Sequence, residues 1–99
     1  AIDLILNNGK TGEIYNIGTK NECTNLEITQ ILLDLTGNDA SMINWVEDRL
    51  NHDRRYSVDS SKIESLGWTQ EISFDNGISE TVRWYIDNRK WWEPLKGKL

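Results

Sequence analysis

Apolar residues recur at helical spacing in four parts of the chain, and capping signals mark where these helices begin and end. The clearest helix begins at Thr24, because Thr24 and Glu27 have the spacing of a capping box, and Gly37 ends it. The pattern predicts three further helices: one already under way at Ala1 that stops near Gly9, a short one between Ser61 and Gly67, and a last one opened by Ser73 or Asp75.

Two short apolar stretches between these helices predict β-strands. Residues 14–18 are bounded by glycines and predict a mostly buried strand, and residues 43–46 predict a second strand that leads into a charged stretch. Helices that alternate with short strands are typical of the α/β class. The sequence has no repeat, low-complexity tract or change of composition, so we expect residues 1–99 to form a single domain.

The beginning of the sequence suggests a fragment. The apolar pattern is already under way at Ala1, and neither an initiator methionine nor an N-cap residue precedes it. We therefore expect the chain to be part of a longer protein.

The charge balance limits the possible partners. The chain has a formal net charge of −5, whereas proteins that bind polymeric nucleic acid neutralise many phosphates with lysine and arginine. We therefore expect no nucleic acid partner, although one small phosphate ligand needs only a local basic cluster. No apolar run has the length of a membrane span, and a single cysteine, Cys23, favours a cytoplasmic protein.

The sequence EDRLNHDRRY at residues 47–56 concentrates three acids, three arginines and the only histidine. Arg49, His52 and Arg55 offer donors that suit a phosphate, since a guanidinium stays protonated and presents a planar fork. The alternative is that these acids and arginines simply pair on a solvated surface, and spacing alone favours this alternative. One histidine without a second ligand cluster makes a poor metal site, so we expect none.

Asn25 presents a similar choice at the start of the predicted second helix. Its side chain either caps the helix or turns its amide towards a ligand at the positive helix end, and the residues alone favour capping. The sequence contains no P-loop, GxSxG, HExxH or glycine-rich dinucleotide motif.

Six segments along the whole chain together resemble a known family: GEIYNIG, TNLEIT, DRLNHDRRYSVDSSKI, LGW, SFDNGISETVRWYIDNRKWW and EPLK. In this order they resemble the C-terminal part of the nucleotide-diphosphate-glucose 4,6-dehydratases, and best of all the dTDP-glucose enzymes of the extended short-chain dehydrogenase superfamily. The segments LGW and SFxxGIxxTVxWY are shared across that superfamily, whereas DRxxHDxRY with WWEPLK is more specific to the dehydratases. The resemblance implies a small C-terminal substrate-binding domain that lacks the Rossmann part.

The resemblance also implies a set of substrate-binding residues. In the family, the DRxxH stretch and an asparagine at the start of the preceding helix contact the nucleotide diphosphate. This carries over to six positions here: Asn25, Asp48, Arg49, Leu50, Asn51 and His52. Arg55 and Tyr56 are instead expected to support the loop. The family usually has Pro-Gly where this chain has Leu50-Asn51, and asparagine tolerates the unusual φ that such a turn requires.

The function implied is that of an NAD-dependent lyase in nucleotide-sugar biosynthesis, which converts dTDP- or UDP-glucose to the 4-keto-6-deoxy sugar. In this family the sugar is oxidised at C4, loses water across C5 and C6, and receives the hydride back at C6. The resemblance places the NAD site and the catalytic Tyr-x-x-x-Lys and Asp-Glu pairs in the missing Rossmann part. It therefore implies no catalytic and no cofactor-binding residue in this chain, and we expect the isolated chain to be inactive. The parent enzyme is expected to be a homodimer. The alternatives are another nucleotide-sugar epimerase or decarboxylase, and a free-standing nucleotide-binding or interaction module.

Overall fold

The computed structural model describes residues 1–97, which form two compact units. The first unit combines Ala1–Glu22 with Val46–Glu71, and the second joins Cys23–Trp45 to the stretch that starts at Ile72. The described residues contain five α-helices, α1 (Ile2–Asn8), α2 (Asn25–Thr36), α3 (Ser61–Glu64), α4 (Phe74–Asp87) and α5 (Arg89–Trp92), and two 3₁₀ helices, Ala40–Met42 and Glu93–Leu95. All four predicted helices are therefore confirmed.

The ends of α2 follow the local sequence closely. The Glu27 backbone N–H donates to Thr24 Oγ1 (3.2 Å), and the Thr24 N–H donates to Glu27 Oε2 (2.6 Å), so the predicted capping box is formed. Gly37 ends the helix with a φ of 67°, in the left-handed region that a residue without Cβ adopts at little cost. These contacts all lie within a few residues of one another, which is why the sequence was sufficient to predict them.

The two predicted strands are wrong, because no strand forms within residues 1–97. Residues 14–18 belong to a stretch with neither helix nor strand, residues 13–22, which we call the strap. The strap runs beside residues 55–62, but no backbone hydrogen bond among the described residues joins the two segments. Ile14 is 81% exposed and Trp45, in the other predicted strand, is 75% exposed. An apolar pattern indicates extended backbone, but only a hydrogen-bonded neighbour makes it a strand.

Side chains, rather than a backbone ladder, hold the strap in the first unit. Lys62 Nζ donates to Glu13 Oε2 (2.7 Å) and to the carbonyl of Ile14 (2.9 Å). Further along, Gly18 lies so close to Val58 that an added Cβ would come within 2.5 Å of a Val58 methyl group. The strap therefore contacts the segment that follows the charged stretch at several points.

In the second unit, α2 packs against α4, and α5 folds back onto the end of α4. The Trp92 indole N–H donates to the backbone carbonyl of Tyr85 (2.7 Å), and the rings of Trp84 and Trp91 meet edge to face with centroids 5.2 Å apart. Leu33 of α2 is the buried apolar side chain of this unit. Among residues 1–97, no helix is long and apolar enough to cross a lipid bilayer.

Candidate functional site

The charged stretch forms a loop in the first unit, with its turn at Leu50 and Asn51. Asn51 has a φ of 59° and is the single non-glycine residue with positive φ in the part of the chain that the structure describes. Asparagine is among the residues that enter the left-handed region most readily, which explains how this turn forms without glycine. Leu50 is 95% exposed at the tip of the turn.

Arg49 lies immediately before this turn, and its guanidinium is unpaired among the described residues. Its guanidinium makes no hydrogen bond or ion pair within residues 1–97. The neighbouring Asp48 carboxylate instead accepts a hydrogen bond from the Arg49 backbone N–H (2.9 Å), so it is directed at the loop's own backbone. His52, on the other side of the turn, is half-buried. The turn thus presents a guanidinium and an imidazole that suit an anion.

Arg55, at the end of the same loop, differs from Arg49 because its guanidinium has an ion-pair partner. Its Nε donates to Glu22 Oε2 (2.7 Å) and its Nη2 donates to Glu22 Oε1 (2.6 Å), which is a bidentate contact. The Ser57 hydroxyl also donates to Glu22 Oε1 (2.8 Å). The hydrogen bonds from Arg55 and then from Ser57 lower the pKa of Glu22 to about 2. Spacing offered Arg49, His52 and Arg55 as donors to one anion. The guanidinium of Arg55 is instead bound to Glu22.

Sequence reasoning did not identify Glu22. The residue lies 33 positions before Arg55, in the strap, and no motif or periodicity pairs the two positions. The one available signal was its acidic character, and this signal is shared by many surface residues. Only the path of the strap beside residues 55–62 brings the two side chains together.

Asn25 lies in the second unit, as the first residue of α2. The capping role that the residues alone favoured for Asn25 is wrong, because Thr24 and Glu27 cap the helix. The Asn25 carbonyl accepts from the Thr29 hydroxyl (2.7 Å), and its side-chain amide has no hydrogen-bond partner within residues 1–97. The structure thus places five of the predicted site residues on the loop of the first unit and the sixth on a helix of the second unit.

The chain's own residues fit neither a metal nor NAD. No three His, Cys, Asp or Glu side chains of residues 1–97 lie together as metal ligands would. A dinucleotide site of the Rossmann type needs a strand, a glycine-rich turn and a helix in succession, and neither the glycine-rich motif nor a strand is present in the described part of the chain.

Comparison with known proteins shows that this chain is similar to enzymes of the extended short-chain dehydrogenase class. Within that class it is related to the dTDP-glucose 4,6-dehydratases over nearly its whole length, so the resemblance found in the sequence is confirmed. The enzyme of Streptomyces niveus is 48% identical over 97 residues, which are 97% of this chain and 29% of that relative. No protein-family model matches the chain.

Two solved structures of dTDP-glucose 4,6-dehydratases agree with this relationship. The structure from Streptomyces venezuelae, which holds NAD and a further ligand, is 54% identical and has a TM-score of 0.90 over 95% of this chain. The structure from Bacillus anthracis, in complex with NAD, is 41% identical with a TM-score of 0.87, again over 95% of this chain. In both cases the chain spans 30% of the solved protein.

Proposed function

We propose that residues 1–99 form, as a single domain, the substrate-nucleotide-binding part of an NAD-dependent dTDP-glucose or UDP-glucose 4,6-dehydratase. The observation that carries this proposal is the uncommitted guanidinium of Arg49 beside the left-handed turn at Asn51. The relatives named above add the nature of the ligand, because they are enzymes of dTDP-glucose.

Each proposed site residue has a role that its chemistry supports. Arg49 forms a bidentate contact with the diphosphate, and His52 donates a further hydrogen bond without acting as a base. Asp48 keeps its carboxylate on the Arg49 backbone N–H, which limits its repulsion of the ligand. Leu50 and Asn51 shape the turn and contact the nucleotide.

Asn25 is proposed as a further residue that contacts the nucleotide. Its side-chain amide is uncommitted and stands in the first turn of α2, where the helix dipole favours a negative group. An amide supplies both a donor and an acceptor, so it suits a nucleotide that presents both kinds of group.

The remaining parts of the function are proposed to lie in a longer parent enzyme. We place the NAD site and the catalytic groups in a Rossmann part, which agrees with the chain spanning about 30% of its relatives. NAD would there supply the redox step at the sugar. We further propose a cytoplasmic homodimer that acts as a lyase in nucleotide-sugar biosynthesis. The 99-residue chain alone is then inactive, and formation of a 4-keto-6-deoxy sugar by the pure chain with NAD would contradict this.

Two alternatives remain distinct from this proposal. A nucleotide-sugar epimerase or decarboxylase would share the superfamily segments, but the DRxxHDxRY and WWEPLK segments favour the dehydratase. A free-standing nucleotide-binding module would have no parent enzyme. Sequencing the DNA upstream of this chain separates the free-standing module from the enzymes, because only the enzymes require a glycine-rich dinucleotide motif followed by Tyr-x-x-x-Lys. An upstream Asp-Glu pair for the loss of water would then favour the dehydratase over the epimerase or decarboxylase.

The direct test is an NMR titration of the chain with dTDP and, separately, with UDP. Amide shifts confined to Asn25 and residues 48–56 support the proposal. The ratio of the affinities for dTDP and UDP shows whether the site prefers thymine or uracil. If millimolar nucleotide shifts no amide, the titration is repeated with the full-length protein. Absence of amide shifts at residues 48–56 in the full-length protein as well would contradict the proposed nucleotide site.

A further inference from the structure

Glu22 is the residue on which the loop is anchored. Both of its carboxylate oxygens are engaged: Oε2 by Arg55 Nε, and Oε1 by Arg55 Nη2 together with the Ser57 hydroxyl. Three donors from the end of the loop thus converge on one acid in the strap. Among the described ion pairs of the chain, this one shows the two-point geometry that fixes the direction of a guanidinium.

The contact divides the arginines of the loop into two groups. Arg55 is bound to Glu22, whereas the guanidiniums of Arg49 and Arg54 make no hydrogen bond or ion pair within residues 1–97. An unengaged Arg55 would have a flexible side chain and a full positive charge only six positions from Arg49. Such a group competes for the same anion and leaves the end of the loop free to move.

We propose that Glu22 is a positioning residue for the diphosphate-binding loop, which it holds in the binding-competent arrangement through Arg55 and Ser57. This inference rests on the proposed function of the loop. Glu22 does not touch the ligand; it fixes the end of the segment that carries Arg49 and His52. When only a fraction of the molecules has the competent loop, the apparent dissociation constant rises by the inverse of that fraction.

The test measures dTDP binding by calorimetry in the full-length protein that contains this chain. The variants are Glu22→Ala, Arg55→Ala and the double variant, with Glu13→Ala as the matched control. Glu13→Ala also removes one carboxylate of the strap, together with an ion pair that is made with Lys62 and not with the loop. Thermal midpoints are recorded for every variant, so a loss of stability is separated from a loss of binding.

We expect Glu22→Ala and Arg55→Ala each to weaken dTDP binding about tenfold, as when one molecule in ten keeps the competent loop. The double variant should lose no more than either single variant, because both substitutions break the same contact. Glu13→Ala should change the affinity less than about twofold. Glu22→Gln keeps one acceptor oxygen, so it should lie between the wild type and Glu22→Ala, and it remains informative if Glu22→Ala does not fold.

Two results would overturn the proposal. Unchanged or tighter binding by both Glu22 variants would show that the anchor does not limit the loop. Additive losses in the double variant would show that Arg55 contacts the ligand itself. Arg49→Ala, measured alongside, separates this failure from that of the proposed function: if Arg49→Ala weakens binding and Glu22→Ala does not, only the role of Glu22 is wrong.

Discussion

Replacing Arg49 by alanine tests the proposed diphosphate site most directly. The guanidinium makes no contact within residues 1–97, so its removal breaks no intramolecular bond that the structure describes. The free energy of unfolding should therefore change by less than about 0.5 kcal/mol, as is usual for surface substitutions. A larger change in the free energy of nucleotide binding would then reflect the loss of the contact with the ligand and not a loss of stability.

The expected loss of affinity follows from the chemistry of that contact. A hydrogen bond to a charged group contributes about 1.5–3 kcal/mol net, which corresponds to a dissociation constant about 10- to 150-fold higher. Part of any loss also comes from the change in net charge, from −5 to −6 (−5 − 1). That part needs a control, because an acidic protein repels a diphosphate over roughly 8 Å at physiological salt.

Arg54→Ala provides the control. Arg54 lies in the same loop, is exposed, and makes no ion pair or hydrogen bond among the described residues, so its removal changes the net charge equally. Calorimetric titration with dTDP should show a loss of at least about tenfold for Arg49→Ala and less than about twofold for Arg54→Ala. Equal losses would mean that Arg49 acts only through net charge, and an unchanged affinity in Arg49→Ala would refute the assignment.

Three further predictions concern stability. Ile63 is fully buried, at 0% exposure, so Ile63→Ala should lower the free energy of unfolding by about 2–4 kcal/mol, as measured by urea denaturation. Gly18→Ala should lower the free energy of unfolding by about 1–3 kcal/mol in the same assay, because the new Cβ would lie 2.5 Å from a methyl group of the stiff Val58 side chain. An unchanged midpoint of urea denaturation would contradict this prediction and show that the strap can shift. Folding lowers the pKa of Glu22 from 4.5 to about 2, so the unfolded chain takes up this proton first as the pH falls. The stabilising contribution of Glu22 is then complete above pH 4.5 and is lost between pH 4.5 and 2; Glu22→Gln should flatten the pH dependence of the thermal midpoint in that window, and identical profiles would contradict the shift.

Local sequence was sufficient for the helices, whereas the resemblance to the dehydratases indicated the turn of the loop. Thr24, Glu27 and Gly37 define α2 through contacts between near neighbours, and Asn51 takes the left-handed conformation that its position after Leu50 requires. The resemblance to the dehydratases, also found in the sequence, named the loop and Asn25 as the candidate site. The resemblance therefore predicted nucleotide binding by these residues, whereas spacing alone favoured a solvated cluster of charges and a helix-capping asparagine.

Tertiary structure decided which of these groups are free. Spacing left Arg49 and Arg55 open both as donors to one anion and as partners of surface acids. The strap brings Glu22 to Arg55 across 33 positions, whereas the Arg49 guanidinium has no partner among the described residues. Tertiary structure likewise decided that residues 14–18 are held by side chains and not by a backbone ladder. The physical reason is the same in both cases. Helix caps and turns are fixed by contacts within a few residues, whereas an ion pair or a strand depends on a partner whose place is set only when distant segments pack together.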